Sequence, residues 1–300
     1  MHHILEQHED VFIPGGELHF FCMDDVISNP EFVGRSGNGW MKCDESPPDY
    51  EDHFDRNLDW YRDFFASAEE EQAVGEDGAV YLSSQYAPAR IADLLPDVKL
   101  LFLLRNPVDR TYSQYRHLLR TGRAVYDFED SLQYGPHTLL SRSQYKIQIE
   151  RYLEHFSRDQ IKIVVFEKFI SNMQGVLDEV CSFLGLESGI DLSQVETHRM
   201  PSPVPRWPRL LYWQNYLTRS LGPNRYAGYF PGTRERKLAR WEEIANGVNR
   251  RLRNFNLRSD VRKPPMARET RRRLQRIMAK ENEGLSEMLG IEFGTYWEFL

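Results

Sequence analysis

The chain has 300 residues, a formal net charge of −7, 41% hydrophobic residues and 28% charged residues. That length buries a substantial core and suits one large α/β domain or two smaller ones. The composition excludes wholesale disorder, collagen and coiled coil, and no apolar run approaches the roughly 18 residues of a membrane span.

Short apolar runs alternate with helical patterns, which predicts a βαβ architecture around a mostly parallel sheet. Strands are expected at Asp10–Ile13, Ala79–Leu82, Lys99–Arg105 and Ile161–Phe166. The runs KLLFLLR and IKIVVF are nearly continuous apolar stretches, the pattern of strands covered on both faces. Helical periodicity fills Asn57–Ala66, Pro88–Leu95, Val108–Thr121, Gln144–Phe156 and Val176–Leu184, with Gly185 as a C-terminal stop. Residues 24–55 carry Pro, Gly, Ser and Asp clusters and read as a long loop or insertion. Residues 198–231 are rich in Pro, Trp, Tyr and Arg and read as an irregular, partly helical cap. Basic helical stretches follow at Arg234–Asn256 and Ala267–Leu289. The chain is therefore read as a single domain over 1–300, with an insertion at about 22–55 and an aromatic, basic cap at about 198–261.

The modest net charge hides an asymmetry. Residues 1–100 hold 6 basic against 22 acidic side chains, residues 101–200 hold 12 against 13, and residues 201–300 hold 20 against 10. An acidic front and a basic back imply attraction within one fold or a basic face for an anionic partner. The three cysteines (Cys22, Cys43, Cys181) form neither a disulfide framework nor a C-x-x-C metal pair. Together with the absence of an N-x-S/T sequon and of a charged-then-apolar leader, they suggest a cytoplasmic protein with no metal.

The sharpest signal is LLFLLRNPVDRTYSQYRH, residues 101–118. A buried strand ends at Arg105, Asn106 turns the chain, and Pro107 stands where a helix start tolerates its missing N–H. Arg105 thus falls at the carboxyl end of a strand, where open α/β sheets bind ligands. Ser113, Arg116 and His117 follow on one helix face. A guanidinium fork with a hydroxyl beside it suits a phosphate group, although a solvated basic helix would give the same pattern.

Arg105-Asn-Pro-x-Asp-Arg-x-Tyr-Ser113 resembles the 3′-phosphate-binding motif of the PAPS-dependent sulfotransferases, above all bacterial sulfotransferase domains and the heparan sulfate N-sulfotransferase branch. Val11-Phe-Ile-Pro14, Glu17-Leu-His-Phe-Phe21, Leu58-Asp-Trp-Tyr-Arg-Asp-Phe-Phe65 and Ala87-Pro-Ala-Arg-Ile91 are similar to family segments in the same order. So are Val164-Val-Phe-Glu167, Phe183-Leu-Gly-Leu186 and Lys263-Pro-Pro-Met266 with Glu269-Thr-Arg271. The resemblance implies a three-layer α/β fold of the P-loop-NTPase type with a central, mostly parallel sheet. It implies that Arg105 and Ser113 hold the 3′-phosphate of PAPS or of the product PAP, with Arg262 close to the family's C-terminal cofactor loop. It puts Glu17 where the N-sulfotransferase branch has its catalytic base, and His117 where that branch has a histidine. A turn carboxylate and a surface histidine remain equal readings of these two. His19, between apolar residues in an expected strand, reads as structural.

Two departures from the family stand out. The P-K-x-G-T-x-x-L loop that grips the 5′-phosphosulfate is not found; the opening Met1-His-His-Ile-Leu resembles the end of the helix after it. The first strand, loop and helix are therefore expected to be truncated or lost. Asp77 stands where the N-sulfotransferase branch has a lysine. The resemblance implies a PAPS-dependent sulfotransferase acting on a hydroxyl or amine of a glycan or small metabolite, without a metal. The alternative is a catalytically impaired protein that binds PAP or a sulfated glycan on the same scaffold. No nucleic-acid partner and no membrane span are implied, and a Golgi-lumenal location would require an anchor upstream. In the cap, Trp207, Tyr212, Trp213 and Tyr216 read as core or as a stacking surface for an acceptor, with core favoured.

Overall fold

The computed structural model describes residues 1–22, 25, 58–69, 73–190, 192, 203–218, 240–258 and 266–300. The insertion at 24–55 lies outside the described residues except for Asp25, as do Cys43, Arg262, Lys263 and most of the segment 198–239.

Two strands form the centre. β3 (Leu100–Leu104) pairs in parallel with β4 (Ile161–Val165), in register from Leu100 opposite Ile161 to Leu104 opposite Val165. Parallel neighbours need a crossover, and here it contains four helices. These are α4 (Pro107–Arg120), α5 (Phe128–Tyr134), α6 (Pro136–Leu140) and α7 (Tyr145–Leu153). Upstream lie α1 (His2–Leu5), a helical turn α2 over 58–63, and α3 (Ala87–Leu94). β1 (Val11–Phe12) pairs in parallel with β2 (Ala73–Val74), and an isolated parallel bridge joins Glu17 to Asp77 beyond them. After β4 come α8 (Phe166–Ser171) and α9 (Met173–Leu184), which ends on Gly185 at φ 84°, a left-handed position that suits glycine.

The cap holds α10 (Pro208–Thr218) and α11 (Arg240–Asn256). The short antiparallel pair β5 (Val204–Pro205) and β6 (Leu257–Arg258) closes their base. The chain finishes with α12 (Arg268–Glu281) and α13 (Leu285–Leu289).

Three apolar clusters surround the centre. One packs Phe20, Phe21, Tyr81, Phe102, Leu104, Ile163, Tyr152 and Trp297. A second joins Leu5 and Val11 to Val164 of β4 and to Val176, Leu177 and Val180 of α9. The third holds Leu118 and Leu119 of α4 against Leu211 of α10 and against Leu274 and Met278 of α12.

Several expectations needed correction. Ala79–Leu82 is no strand: Val80 and Tyr81 enter a 3₁₀ turn, Tyr81–Ser83, with the Tyr81 amide bonded to the Gly78 carbonyl at 3.0 Å. A short buried apolar run does not distinguish a strand from a turn of helix, and the strand of this region is β2. Phe20 and Phe21 likewise begin a 3₁₀ turn rather than continuing a strand, with His19 ahead of them at φ 55°. Strand β3 is not covered on both faces along its whole length: Leu101 joins the second cluster, whereas Leu103 is 40% exposed. The stretch Ala267–Leu289 is two helices, broken where Gly284 takes φ 82°. Helices α5 and α6, in a segment without clear periodicity, were not anticipated.

The junction before Gly284 is held by Asn282, which is 1% exposed. Its Oδ1 accepts from the amides of Tyr145 (2.8 Å) and Lys146 (3.3 Å), capping α7. Its Nδ2 donates to the carbonyls of Ser143 (3.1 Å) and Met278 (3.0 Å). Truncation leaves buried amides and carbonyls without partners, so Asn282→Ala is expected to lower the unfolding free energy in urea by about 2–4 kcal/mol.

Candidate functional site

The site begins where β3 runs into α4. Asn106 caps the helix, its Oδ1 accepting from the amides of Val108 (3.0 Å) and Asp109 (3.3 Å), with Pro107 in the first helical position. The Asn106 amide donates to Glu167 Oε1 at 2.9 Å, and Trp297 Nε1 donates to Glu167 Oε2 at 2.9 Å. The Tyr145 hydroxyl donates to the Arg105 carbonyl at 2.8 Å. Each group that would otherwise wander at the strand end is thereby anchored.

Arg105 leaves this fixed backbone half-buried, its guanidinium 5.2 Å from the centre of the Phe166 ring, within cation–π range. Ser113 and Arg116 are half-buried on α4. Burial pushes the Arg116 pKa down from its ordinary value; Tyr112 opposes that shift, and the charges of Arg105 and Arg120 reinforce it. Arg105 and Arg120 thus lie close enough for their charges to act on Arg116, which gathers positive charge at this corner. The charges of Arg110 and Arg105 both act on buried Tyr145, whose hydroxyl burial raises to about 12. His117 lies exposed, its Nδ1 3.4 Å from Arg120 Nη2.

A second constellation lies along the N-terminal edge. Glu17, 41% exposed, follows the Gly15-Gly16 turn, with Gly16 at φ 90°. Its Oε2 is 3.3 Å from Nε2 of His19, which is 4% exposed. A histidine at positive φ is uncommon, and here the backbone turn brings the ring beneath the carboxylate. Asp77, joined to Glu17 through the backbone bridge, has Oδ2 3.3 Å from Nδ1 of His2. Leu18 and Phe20 share an apolar cluster with Phe102 and Leu104, so this edge and the end of β3 rest on one core.

The structure therefore groups Arg105 with Arg116, and Glu17 with His19 and Asp77. Arg262 lies outside the described residues. His19, read as structural, is buried and paired with Glu17, a contact that alternation in an expected strand did not indicate.

Sequence reading also passed over Glu76. Its Oε2 is buried, and burial raises its pKa to about 7, with the Tyr81 and Tyr61 hydroxyls pulling it back down and Asp77 pushing it up. A carboxyl whose folded pKa lies above its unfolded value stabilises the protein below the unfolded value. That contribution is lost as pH rises from about 4.5 to about 7. Glu76→Gln is therefore expected to raise the unfolding free energy by about 2 kcal/mol at pH 8 and to change it little at pH 4.5, read by urea denaturation at both pH values.

Several known proteins are similar to this chain. A bifunctional heparan sulfate N-deacetylase/N-sulfotransferase 1 from Xenopus laevis is 30% identical over 154 residues, 46% of this chain and 18% of that protein. A human heparan sulfate glucosamine 3-O-sulfotransferase 3B1 is 34% identical over 150 residues, 47% of this chain and 38% of that protein. The chain thus spans well under half the length of these relatives. A crystal structure of a sulfotransferase from Alicyclobacillus acidocaldarius covers 98% of this chain and 92% of its own, at 22% identity and a TM-score of 0.59, which establishes the α/β fold. The model of the sulfotransferase family matches residues 1–189, more than half the chain, and the chain belongs to that family.

Proposed function

We propose that this protein transfers a sulfuryl group from PAPS to a hydroxyl or amine acceptor and releases PAP. The observation that carries the reading is the cationic corner at the end of β3, where Arg105 emerges from a pinned backbone within electrostatic reach of Arg116 on α4, the helix that also carries Ser113. Arg105 presents a donor fork and Ser113 a hydroxyl, the groups suited to the 3′-phosphate of PAPS or PAP. Arg262, near the C-terminal segment, is a further candidate for the same nucleotide.

In the transfer step the acceptor's O–H or N–H gives its proton to the Glu17 carboxylate. The acceptor atom bonds to sulfur as the bond from sulfur to the 5′-phosphate oxygen breaks, and PAP leaves with those electrons. Such an in-line displacement depends on positioning and charge more than on covalent help. His19, against Glu17, holds the carboxylate in one orientation. His117, exposed on the next turn from Ser113, is the second candidate for proton transfer. The relatives named for heparan sulfate make a glycan the first acceptor to test, with a small metabolite next. No described helix is long and apolar enough to cross a membrane. Cys181 is a buried free thiol, which supports a cytoplasmic setting over the Golgi lumen.

One observation favours the alternative of a PAP- or sulfated-glycan-binding protein without activity: Asp77, an acid, is bridged to Glu17, and its charge would repel a sulfate developing beside that carboxylate. Calorimetry with PAP and transfer from radiolabelled PAPS to N-desulfated heparan sulfate separate the readings. Arg105→Ala is expected to weaken PAP binding roughly tenfold to hundredfold, the worth of one or two charge-assisted hydrogen bonds. Glu17→Gln is expected to lower kcat by about 10²–10⁴ with PAP affinity unchanged. PAP binding with no transfer by the wild type would select the binding protein, and equal PAP affinities of wild type and Arg105→Ala would remove both readings.

A further inference from the structure

Helix α11 is built inside out. Trp241, Ile244, Val248, Leu252 and Phe255 recur at spacings of three and four residues, which confines them to an arc of about 80° on the helix. All five face solvent, at 51–64% exposure. The opposite face, toward the protein, is polar: Asn249 and Asn256 are buried, and Arg253 Nη1 donates to the Arg120 carbonyl at 3.5 Å. Gln214 Nε2 donates to Asn249 Oδ1 (2.6 Å) and to the Asn249 carbonyl (2.8 Å). Asn256 exchanges hydrogen bonds with the backbone of Trp207 at 2.8 and 3.1 Å.

The same inversion extends to α10. Leu211 and Asn215 are buried, and Asn215 Nδ2 donates to the Ala124 carbonyl at 2.7 Å. Leu210, Trp213 and Leu217 point outward at 54–68% exposure. Aligned apolar residues on each of two helices packed through Gln214 and Asn249 mark an interaction surface, since scattered single residues would not align.

The flanking charges select the partner. Arg240 and Arg251 border the α11 stripe, Arg209 stands beside Leu210, and Arg206 stacks over Trp207 and Phe255 at 5.2 and 5.6 Å. An apolar stripe carrying Trp, Leu and Phe, edged with arginine and too polar overall to enter a bilayer core, is the make-up of a helix that lies in a membrane interface. Two copies meeting on this face would bring their arginine borders together, which repels. An anionic surface attracts those same borders.

We propose that the α10–α11 hairpin docks the protein on anionic lipid surfaces, with the stripe buried at the headgroup boundary and the arginines on the phosphates. The docking is independent of sulfuryl transfer and survives if the proposed activity fails.

The test is co-sedimentation of the full chain with vesicles of phosphatidylcholine alone and of an equal mixture with phosphatidylglycerol. Binding to the mixed vesicles is expected to be at least about tenfold stronger and to weaken as salt is raised. Trp241→Ser with Ile244→Ser is expected to lower it about tenfold or more, at an unchanged melting temperature because both side chains face solvent. Arg240→Glu with Arg251→Glu is expected to abolish the preference for the anionic vesicles. No binding to the mixed vesicles at low salt overturns the proposal. So does a dimer in lipid-free solution that Trp241→Ser with Ile244→Ser turns into monomer, because the stripe is then an interface between copies. Equal binding to both vesicle types also overturns it, since the arginine border would then have no part.

Discussion

Where two parallel strands end side by side, the next amides and carbonyls face the space a ligand would fill, and the chain must be fixed there without closing that space. Glu167 meets this constraint. It stands one residue into α8, just past β4, and takes the Asn106 amide from the β3 exit on one oxygen and the Trp297 indole on the other. Trp297 is fully buried and stacks on Phe293, with ring centres 4.5 Å apart. A carboxylate with both oxygens engaged by rigid donors has little freedom, and neither has the turn that carries Arg105. The C-terminal residues thereby support a turn almost two hundred positions earlier in the chain.

The parts of this arrangement that were legible in the sequence are those set by local chemistry. The apolar runs of β3 and β4, the Asn106-Pro107 helix start and the Gly185 stop each announce themselves through one physical requirement, and each appears within about two residues of expectation. Tertiary effects were not legible. Val80 and Tyr81 carry strand-like side chains, yet Tyr81 turns over Gly78 and is sealed by the Tyr152 hydroxyl, which donates to its carbonyl at 2.9 Å. The pairing of His19 with Glu17 depends on a positive φ that a histidine rarely takes, so alternation pointed the wrong way. Of the four cap aromatics read as core in preference to surface, Tyr212 fits best, half-buried with its hydroxyl 2.9 Å from that of Tyr115. Trp207, Trp213 and Tyr216 are 43–64% exposed. Periodicity identifies a stripe on a helix but not which way the helix is turned.

The charge asymmetry acquires a structural sense from the same geometry. The acidic front contains carboxylates paired with histidines: Glu17 with His19, Asp77 with His2, and Glu6 with His2 and His3 at 3.8 and 3.5 Å. Carboxylate–histidine pairs thus occupy this edge, whereas arginines occupy the corner by β3. On the proposed function, an anionic nucleotide and a proton-accepting carboxylate would be held by groups of different chemistry on one apolar cluster, and that separation would keep the carboxylate from competing with the phosphate for the same cations.

The inverted cap follows from hydrogen-bond accounting rather than from a failure to bury apolar surface. Rolling α11 half a turn would hide its stripe, but Asn249 and Asn256 would leave Gln214, Thr218 and both backbone groups of Trp207 to be satisfied elsewhere. Each buried polar group left without a partner costs about 1–3 kcal/mol, against a gain of about 1.5–3 kcal/mol for each large apolar side chain fully buried. The hairpin floor is too polar for the stripe to find such burial there: Asn215 and the carbonyls of Leu119 and Ala124 line it, and α10 turns its own Leu210, Trp213 and Leu217 outward. The asparagines therefore fix the orientation of α11, and the apolar stripe it presents is a property the sequence specifies.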